Sequence, residues 1–261
     1  MARVNRYRAL AALPPLKEEP AWTAGAALHA QYMVKEDEIA HFERTSSPWY
    51  TAAGDAAGRN GNLFAASVPG LGYRVPIDRW MAGPFHMLGL LDPRLARTGY
   101  ADYGEVIGNW RFGAVMDVIR GRSAVVGPSN YPVYYPRQGG DAFLLSYSGD
   151  EYPDPLTPCA GFQAPTGAPI ALQLGSGDVD PRLQFASLLR DGQPVSHCAY
   201  DAVGYTNSDA AARSLGRQIM DNRDAVVLIP EAPLVAGSSY RVSMVVDGET
   251  YSWSFRAVAG N

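Results

Sequence analysis

The proline- and glycine-dense stretch that follows Arg122 is the feature that most constrains the fold of this chain. These residues recur there so closely that no helix or strand pattern survives, whereas helical spacing dominates before them and strand spacing after them. At 261 residues the chain exceeds the usual single-domain size. The sequence therefore predicts a first domain over residues 1–122, a linker over 123–135 and a second domain over 136–261.

Helical spacing and proline positions predict most of the elements of the first domain. Residues 4–12 form the first helix candidate, and an alanine-rich segment that begins at Pro20 forms the second, because proline is favoured in a first helical turn. The stretch from Thr45 to Gly72 is expected to be largely irregular, apart from a short apolar turn at 63–66. Further candidates are short helices that begin at Pro76 and Pro84, and strands at 98–104 and 110–119.

The second domain has the rhythm of a β-sandwich, with short apolar runs between turn signals. The strand candidates are 142–147, 170–174, 184–189, 225–229, 240–246 and 251–255. Asp247-Gly248 is a strong hairpin-turn dipeptide between the last two. The intervening 208–220 has room for helix. We therefore expect an all-β, immunoglobulin-like sandwich after an α+β first domain.

Charge and hydropathy argue against two kinds of partner. The formal net charge is -4, lysine occurs only at Lys17 and Lys35, and the arginines are scattered, so no cationic cluster suits nucleic acid. Apolar runs are too short for a transmembrane helix. The chain starts without the apolar core of a signal peptide, so either the protein is cytosolic or a leader was removed. The turn-rich composition favours removal.

The two cysteines, Cys159 and Cys198, fall in turn-like settings of the second half. A disulfide between them is the favoured interpretation, and two unpaired buried thiols are the alternative. Such a bridge would stabilise the second domain by about 3–4 kcal/mol in the chain-entropy description. It would also indicate an oxidising compartment, and therefore a secreted or cell-envelope protein.

Two histidines, His41 and His86, are separated by a glycine- and asparagine-rich stretch, which suggests one cleft in the first domain. His86 falls in the first turn of the helix that begins at Pro84, where the helix dipole favours a neutral ring suited to metal coordination. His29 lies on an apolar helical stripe, so we expect a buried ring with one backbone partner, a third metal ligand being the alternative. His197 is expected in a loop without a role.

Several motifs of the first domain resemble those of a known family. They are Asn5-Arg6-Tyr7-Arg8, Ala27-Leu28-His29-Ala30-Gln31-Tyr32-Met33, the isolated His41, Asn60-Gly61-Asn62-Leu63, and Trp80 followed by Gly83-Pro84-Phe85-His86-Met87-Leu88-Gly89-Leu90-Leu91. Their order and spacing over residues 4–119 resemble the CAP superfamily, which contains cysteine-rich secretory, antigen 5 and plant pathogenesis-related proteins. The bacterial, cysteine-free branch of SCP-like extracellular proteins is the better match.

The resemblance implies a CAP-like α-β-α sandwich with a cleft lined by two histidines. In members that bind a divalent ion such as zinc, these histidines are the ligands, and here they would be His41 and His86. Many members add two glutamates, but Gly61 stands at the first of these positions and Met81-Ala82-Gly83-Pro84 follows the tryptophan at the second. The possible substitutes, none at a family position, are Asp78, Asp55 and Glu43.

Asparagine and aromatic residues complete the predicted ligand cleft. Its candidate residues are His41, His86, Asn60, Asn62, Trp49 and Tyr50. The two aromatics follow a serine- and proline-containing loop, and exposed aromatic faces suit apolar or sugar ligands. The alternative is that these rings pin the loop to the core.

These observations favour a binding protein over an enzyme. The sequence has no Gly-x-Ser-x-Gly elbow and lacks the expected acids, so catalytic residues stay unassigned. We expect a cleft that binds a lipid, a cell-wall polymer or another protein, with the β-sandwich as spacer or adhesion module. One alternative is a divalent-metal-dependent hydrolase or protease that uses His41 and His86. Another is that the second domain carries the function and the first is a scaffold.

Overall fold

The structure, a computed structural model, describes residues 1–123 and 131–259. Most of the predicted linker, 123–135, lies outside the described residues. The chain forms two compact units, each assembled from separate stretches of sequence. Among the described residues, unit 1 consists of 1–6, 14–80 and 93–123, and unit 2 consists of 7–13, 81–92 and 131–259. The sequence-based division at 122 and 136 stays a prediction.

Helices and strands alternate in residues 1–123. The helices are α1 (Ala2–Leu10), α2 (Pro20–Lys35), α3 (Ala52–Arg59), α4 (Arg74–Ala82) and α5 (Pro84–Leu90). The strands are β1 (Lys17–Glu18), β2 (Gly61–Ala66), β3 (Arg97–Thr98), β4 (Tyr100–Gly104) and β5 (Phe112–Asp117). Helices and strands thus occur together, which confirms the α+β class predicted for this part of the chain.

Strands dominate residues 131–259. They are β6 (Val133–Tyr135), β7 (Gly140–Ala142), β8 (Ser146–Tyr147), β9 (Thr166–Gly167), β10 (Ile170–Gln173), β11 (Leu183–Arg190), β12 (Gln193–Pro194), β13 (His197–Tyr200), β14 (Ala225–Pro230), β15 (Ser239–Val246) and β16 (Glu249–Ala257). Helix α6 (Ala210–Asp221) lies between β13 and β14, within the stretch where the sequence left room for a helix.

The prediction of irregular chain from Thr45 to Gly72 is wrong in its central part, which contains α3 and β2. Thr51 caps α3 by accepting a hydrogen bond from the Gly54 N–H at 2.9 Å. The glycines of α3 serve close packing instead of turns: a Cβ at Gly58 would lie 2.4 Å from the ring of His29. Tertiary contacts therefore override the low helix propensity of glycine here.

Unit 1 is built on a three-stranded antiparallel sheet in the order β2-β5-β4. The central strand β5 is buried along its whole length, and α2 packs across the sheet. Helix α2 and strand β5 approach closely at Gly113, where a Cβ would lie 2.9 Å from the Ala30 carbonyl oxygen. The buried side chains between helices and sheet are Ala26, Ala30, Met33, Ala57, Leu63 and Val115.

The two larger sheets of unit 2 share one core, and β8 and β9 form a further two-stranded sheet. The orders of the two larger sheets are β12-β11-β15-β16-β7 and β13-β14-β10-β6, antiparallel except for the parallel pair β16–β7. Side chains from both sheets meet in the core, among them Leu172, Val242 and Trp253. Strands β10 and β14 are buried throughout, and helices α5 and α6 contact them and each other. The helix that carries His86 therefore belongs to unit 2.

Buried polar side chains hold the C-terminal end of α5 within unit 2. Arg8 donates to the carbonyl oxygens of Leu90 at 2.8 Å and Asp92 at 3.0 Å, and Gln173 donates to that of Leu91 at 3.1 Å. Burial lowers the pKa of Arg8 to about 10, and the nearby Asp92 carboxylate opposes that shift. The carbonyl oxygens at the end of α5 thus find the hydrogen-bond donors that a helix C-terminus needs.

Two local predictions for the second half are confirmed. Asp247 and Gly248 both have positive φ, 51° and 81°, as the tight turn between β15 and β16 requires. Cys159 and Cys198 form a disulfide. In the part of the chain that is described, no helix is long and apolar enough to cross a membrane.

Candidate functional site

A buried histidine–carboxylate pair forms the centre of unit 1. His29 on α2 places Nδ1 3.0 Å from Glu43 Oε1 and Nε2 2.8 Å from the Ala40 carbonyl oxygen. Both side chains are fully buried. Both ring nitrogens of His29 therefore face an oxygen atom. The prediction of a buried ring at His29 agrees with this position, but its main partner is a carboxylate.

Glu43 also fixes the chain that follows it. Its second oxygen, Oε2, accepts the Thr51 N–H at 2.7 Å, and its own N–H donates to Asp55 Oδ1 at 2.8 Å. Asp55 in turn accepts from Arg59 at 2.7 Å, and this bond lowers the pKa of the Asp55 carboxyl. Hydrogen bonds of Glu43 therefore anchor the middle of the loop between α2 and α3 to the interior of unit 1.

Residues 36–51, which we call the aromatic loop, expose large apolar side chains on both sides of Glu43 in the sequence. Ile39 is 47% exposed, Phe42 50% and Trp49 37%. Cations lie over two of these rings: Lys35 Nζ is 4.8 Å from the Trp49 ring centroid, and Arg59 Cζ is 5.9 Å from that of Phe42. Both cations are also ion-paired, Lys35 with Glu105 at 2.6 Å and Arg59 with Asp55 at 2.7 Å, so the loop presents an apolar surface bordered by ion pairs.

The other predicted cleft residues of unit 1 lie around the aromatic loop and α3. His41 is exposed, and its Nδ1 is 2.8 Å from the Gly58 carbonyl oxygen. Tyr50 is half-buried. Asn60 ends α3 and donates to the Ala56 carbonyl oxygen at 2.8 Å, while Asn62 is buried on β2. Asn60 therefore serves the end of α3 and Asn62 is buried in the sheet, whereas His41 reaches the surface.

His86 lies in unit 2, in the first turn of α5, next to a carboxylate that the sequence did not suggest. Glu151 Oε1 is 2.6 Å from His86 Nδ1 and accepts the His86 N–H at 2.7 Å, and Oε2 accepts the Phe85 N–H at 3.2 Å. The carboxylate is 2% exposed and the imidazole 22%. The Glu151 carboxylate is thus an acceptor for a proton on Nδ1, and the expectation of a neutral His86 ring stays a prediction.

All three acids that were considered as substitutes for the family glutamates form hydrogen bonds within unit 1. Asp78 accepts from Arg3 at 2.6 and 2.8 Å, and Asp55 and Glu43 have the partners described above. Glu151 had no such signal. It lies in an acidic turn 65 residues after His86, and neither periodicity nor motif connects the two. A pairing of this kind is visible only in three dimensions.

The described residues fit a metal ion in part. At both predicted ligands, Nδ1 faces an oxygen acceptor, which is the usual support for a histidine that binds metal through Nε2. Within residues 1–123 and 131–259, however, no group of three or more His, Cys, Asp or Glu side chains is gathered as a metal site. His41 and His86 belong to different units. The shared two-histidine cleft stays a prediction.

Comparison with known sequences bears on the first part of the chain. No curated protein matches it significantly. Residues 1–106 match the family model described as CAP, the cysteine-rich secretory protein family. This range includes the aromatic loop, the His29–Glu43 pair and helix α5, but ends before Glu151. The match supports assigning residues 1–106 of this chain to the CAP superfamily.

Proposed function

We propose that this chain is a secreted or cell-envelope protein that binds a ligand through the aromatic loop of its CAP region. The observation that carries the proposal is the exposure of Ile39, Phe42 and Trp49 on one loop whose backbone is anchored from within. Exposed apolar groups that are clustered and polar-rimmed are typical of interaction sites. At family level, a CAP match indicates an extracellular-type ligand-binding protein.

The anchoring supports binding because a rigid surface loses less entropy when a ligand orders it. Glu43 anchors the loop because one carboxylate oxygen contacts the His29 ring and the other accepts the Thr51 N–H. Exposed aromatic faces suit a ligand that offers an apolar or sugar-like surface. A lipid and a cell-wall polymer both meet that description, and a protein partner is the third class.

The second half of the chain is proposed as an immunoglobulin-like spacer or adhesion module. With β6, β10, β14 and β13 taken as strands A, B, E and D, the four-stranded sheet has the order of that fold. With β12, β11, β15 and β16 taken as C′, C, F and G, four neighbouring strands of the five-stranded sheet also follow the immunoglobulin strand order. The disulfide supports an oxidising, extracellular compartment. It joins a loop to β13, not strand B to strand F.

Co-sedimentation with vesicles or with an insoluble polymer tests the proposed binding surface. Wild type, a Phe42→Ala/Trp49→Ala variant and a Phe185→Ala control are mixed with anionic phospholipid vesicles or with insoluble cell-wall polymer. Phe185 is a matched control because its ring is 57% exposed in unit 2. We expect the double variant to bind at least about tenfold more weakly, since aromatic anchors dominate binding energies. Equal binding by the double variant, or no binding by wild type, would refute the surface.

A metal-dependent hydrolase is the second candidate function. The orientation of His41 and His86, each with Nδ1 at an oxygen acceptor, favours it. In such enzymes a bound divalent ion supplies an activated water. Calorimetric titration of the metal-stripped protein with zinc, with His41→Ala and His86→Ala as variants, tests this candidate. It predicts zinc binding by wild type and a loss in both variants; a variant that binds normally removes its residue from the site.

A further inference from the structure

The described residues include two histidine–glutamate pairs that differ in access to solvent. In the His29–Glu43 pair both side chains are fully buried and Nε2 also meets a carbonyl oxygen, so the pair holds the fold together. In the His86–Glu151 pair the carboxylate is almost as buried, yet the imidazole is 22% exposed. The same chemical pair is thus sealed in unit 1 and reaches the surface in unit 2. Only the second is placed to act on a bound molecule.

The start of α5 is shaped to receive the Glu151 carboxylate. Gly83 precedes the helix, and a Cβ there would lie 2.6 Å from both Cδ and Oε1 of Glu151. Any other residue at this position would displace the carboxylate. The carboxylate in turn accepts two N–H groups of the first helical turn, which have no partner within the helix itself.

Hydrogen bonds of buried tyrosines hold the segment that contains Glu151 in place. The Glu151 N–H donates to the Tyr147 hydroxyl oxygen at 3.1 Å, and the hydroxyls of Tyr200 and Tyr205 donate to the carbonyl oxygens of Pro155 and Asp154, both at 2.9 Å. Burial, with the charge of Glu151 second, raises the pKa of Tyr147, so this hydroxyl stays protonated. The disulfide from Cys159 to β13 closes the same segment.

We propose that Glu151 is a positioning residue for His86: it holds the proton on Nδ1 and so turns the Nε2 lone pair toward any metal ion or ligand bound at His86. The proposal rests on the second candidate function, in which His86 binds a metal. It goes beyond that candidate because Glu151 lies outside the residues matched to the CAP family and takes its place from the second half of the chain. A carboxylate on the far ring nitrogen fixes the tautomer and raises the basicity of the coordinating one.

The first readout is the tautomer of His86, which needs no ligand. Long-range proton–nitrogen correlation spectra distinguish the two ring nitrogens, and with four histidines in the chain a His86→Asn variant suffices for assignment. Spectra are recorded at about pH 9, above the ordinary titration range of histidine. We expect Nδ1–H in wild type and in Glu151→Gln, whose amide oxygen still accepts, and a mixture of tautomers in Glu151→Ala. An unchanged tautomer in a folded Glu151→Ala variant would overturn the proposal.

The second readout is zinc affinity measured by titration of the full chain. We expect Glu151→Ala to bind zinc about 10- to 100-fold more weakly, as for other partners of metal-bound histidines, with Glu151→Gln between it and wild type. Asp150→Ala, an exposed acid on the same turn, is the control and should match wild type. Equal affinities in wild type and both Glu151 variants would also overturn the proposal.

The two readouts separate this proposal from the function on which it rests. If wild type binds no zinc, the metal candidate fails, while the tautomer still decides whether Glu151 positions the ring. If Glu151→Ala does not fold, Gly83→Ala replaces it, because its Cβ displaces the carboxylate without removing it. A mixed tautomer in Gly83→Ala supports the proposal, and a wild-type tautomer there contradicts it.

Discussion

The substitution Glu43→Ala should lower the stability of unit 1 by about 3–5 kcal/mol. It leaves two donors without acceptors, His29 Nδ1–H, whose bond is 3.0 Å long, and the Thr51 N–H, whose bond is 2.7 Å long. A buried donor without a partner costs about 1–3 kcal/mol. Both side chains of the pair are fully buried, and removing one partner of such a pair costs about 3–5 kcal/mol.

Hydrogen exchange of the backbone amides of α2 and α3 is the suitable assay, because it reports the opening of one unit without assuming that the whole chain unfolds in one step. The matched control is Glu38→Ala, the same chemical change on the same loop. Glu38 pairs with Arg44, and their side chains are 37% and 46% exposed. An exposed pair of this kind contributes at most about 1 kcal/mol.

Two results would refute the reasoning. One is a loss below about 1 kcal/mol in Glu43→Ala, equal to the control, since it would mean that the buried pair carries no unpaired-charge penalty. The other concerns a His29→Leu/Glu43→Met variant, which removes both side chains of the pair and should recover the part of the loss that comes from the unpaired His29 ring, while the Thr51 N–H stays without its acceptor. If it is instead less stable than either single variant, the pair is not an isolated polar contact in an apolar setting.

Further predictions concern packing, pH and redox state. Gly58→Ala should destabilise unit 1 by about 1–3 kcal/mol because the new Cβ would lie 2.4 Å from the His29 ring, and an unchanged thermal midpoint would contradict this. The Trp110 N–H bond is the main cause of the lowered pKa of Asp37, so the contribution of this carboxylate is complete above its unfolded pKa and lost as pH falls through the folded value. Exchange protection of the Trp110 amide should therefore weaken in acid and be absent at all pH values in Asp37→Ala, which has no side-chain acceptor. Reduction of the 159–198 disulfide, which spans 39 residues, should destabilise unit 2 by about 4 kcal/mol, and an equal urea midpoint with and without reductant would refute it.

The elements with strong local signals were predictable. Pro20 and Pro84 begin α2 and α5 as expected, and the Asp247-Gly248 turn joins β15 and β16. Helix α3 was not predicted because two of its eight residues are glycines, and glycines in a short stretch of sequence indicate a loop. Their role is close packing against side chains far away in sequence, and no local rule shows that need.

The candidate site was predictable only where one residue could be considered alone. His29 was expected to be buried, and His41 was singled out by its isolation, but the carboxylate partners of His29 and His86 were not assigned. Glu43 had been weighed as a substitute acid, and Glu151 carried no signal. Pairings across 14 and 65 residues depend on how the chain folds back, and a single sequence does not encode them in its spacing.

The discontinuity of unit 2 has a consequence for the order in which this protein matures. Residues 7–13 and helix α5 leave the ribosome long before Glu151, Gln173 and strand β14, against which they are held in the finished unit. At synthesis rates of about 5–20 residues per second, the apolar face of α5 waits for several seconds without its partners. During folding, the early chain therefore depends on the late chain, and a truncated product would expose the helix that carries His86.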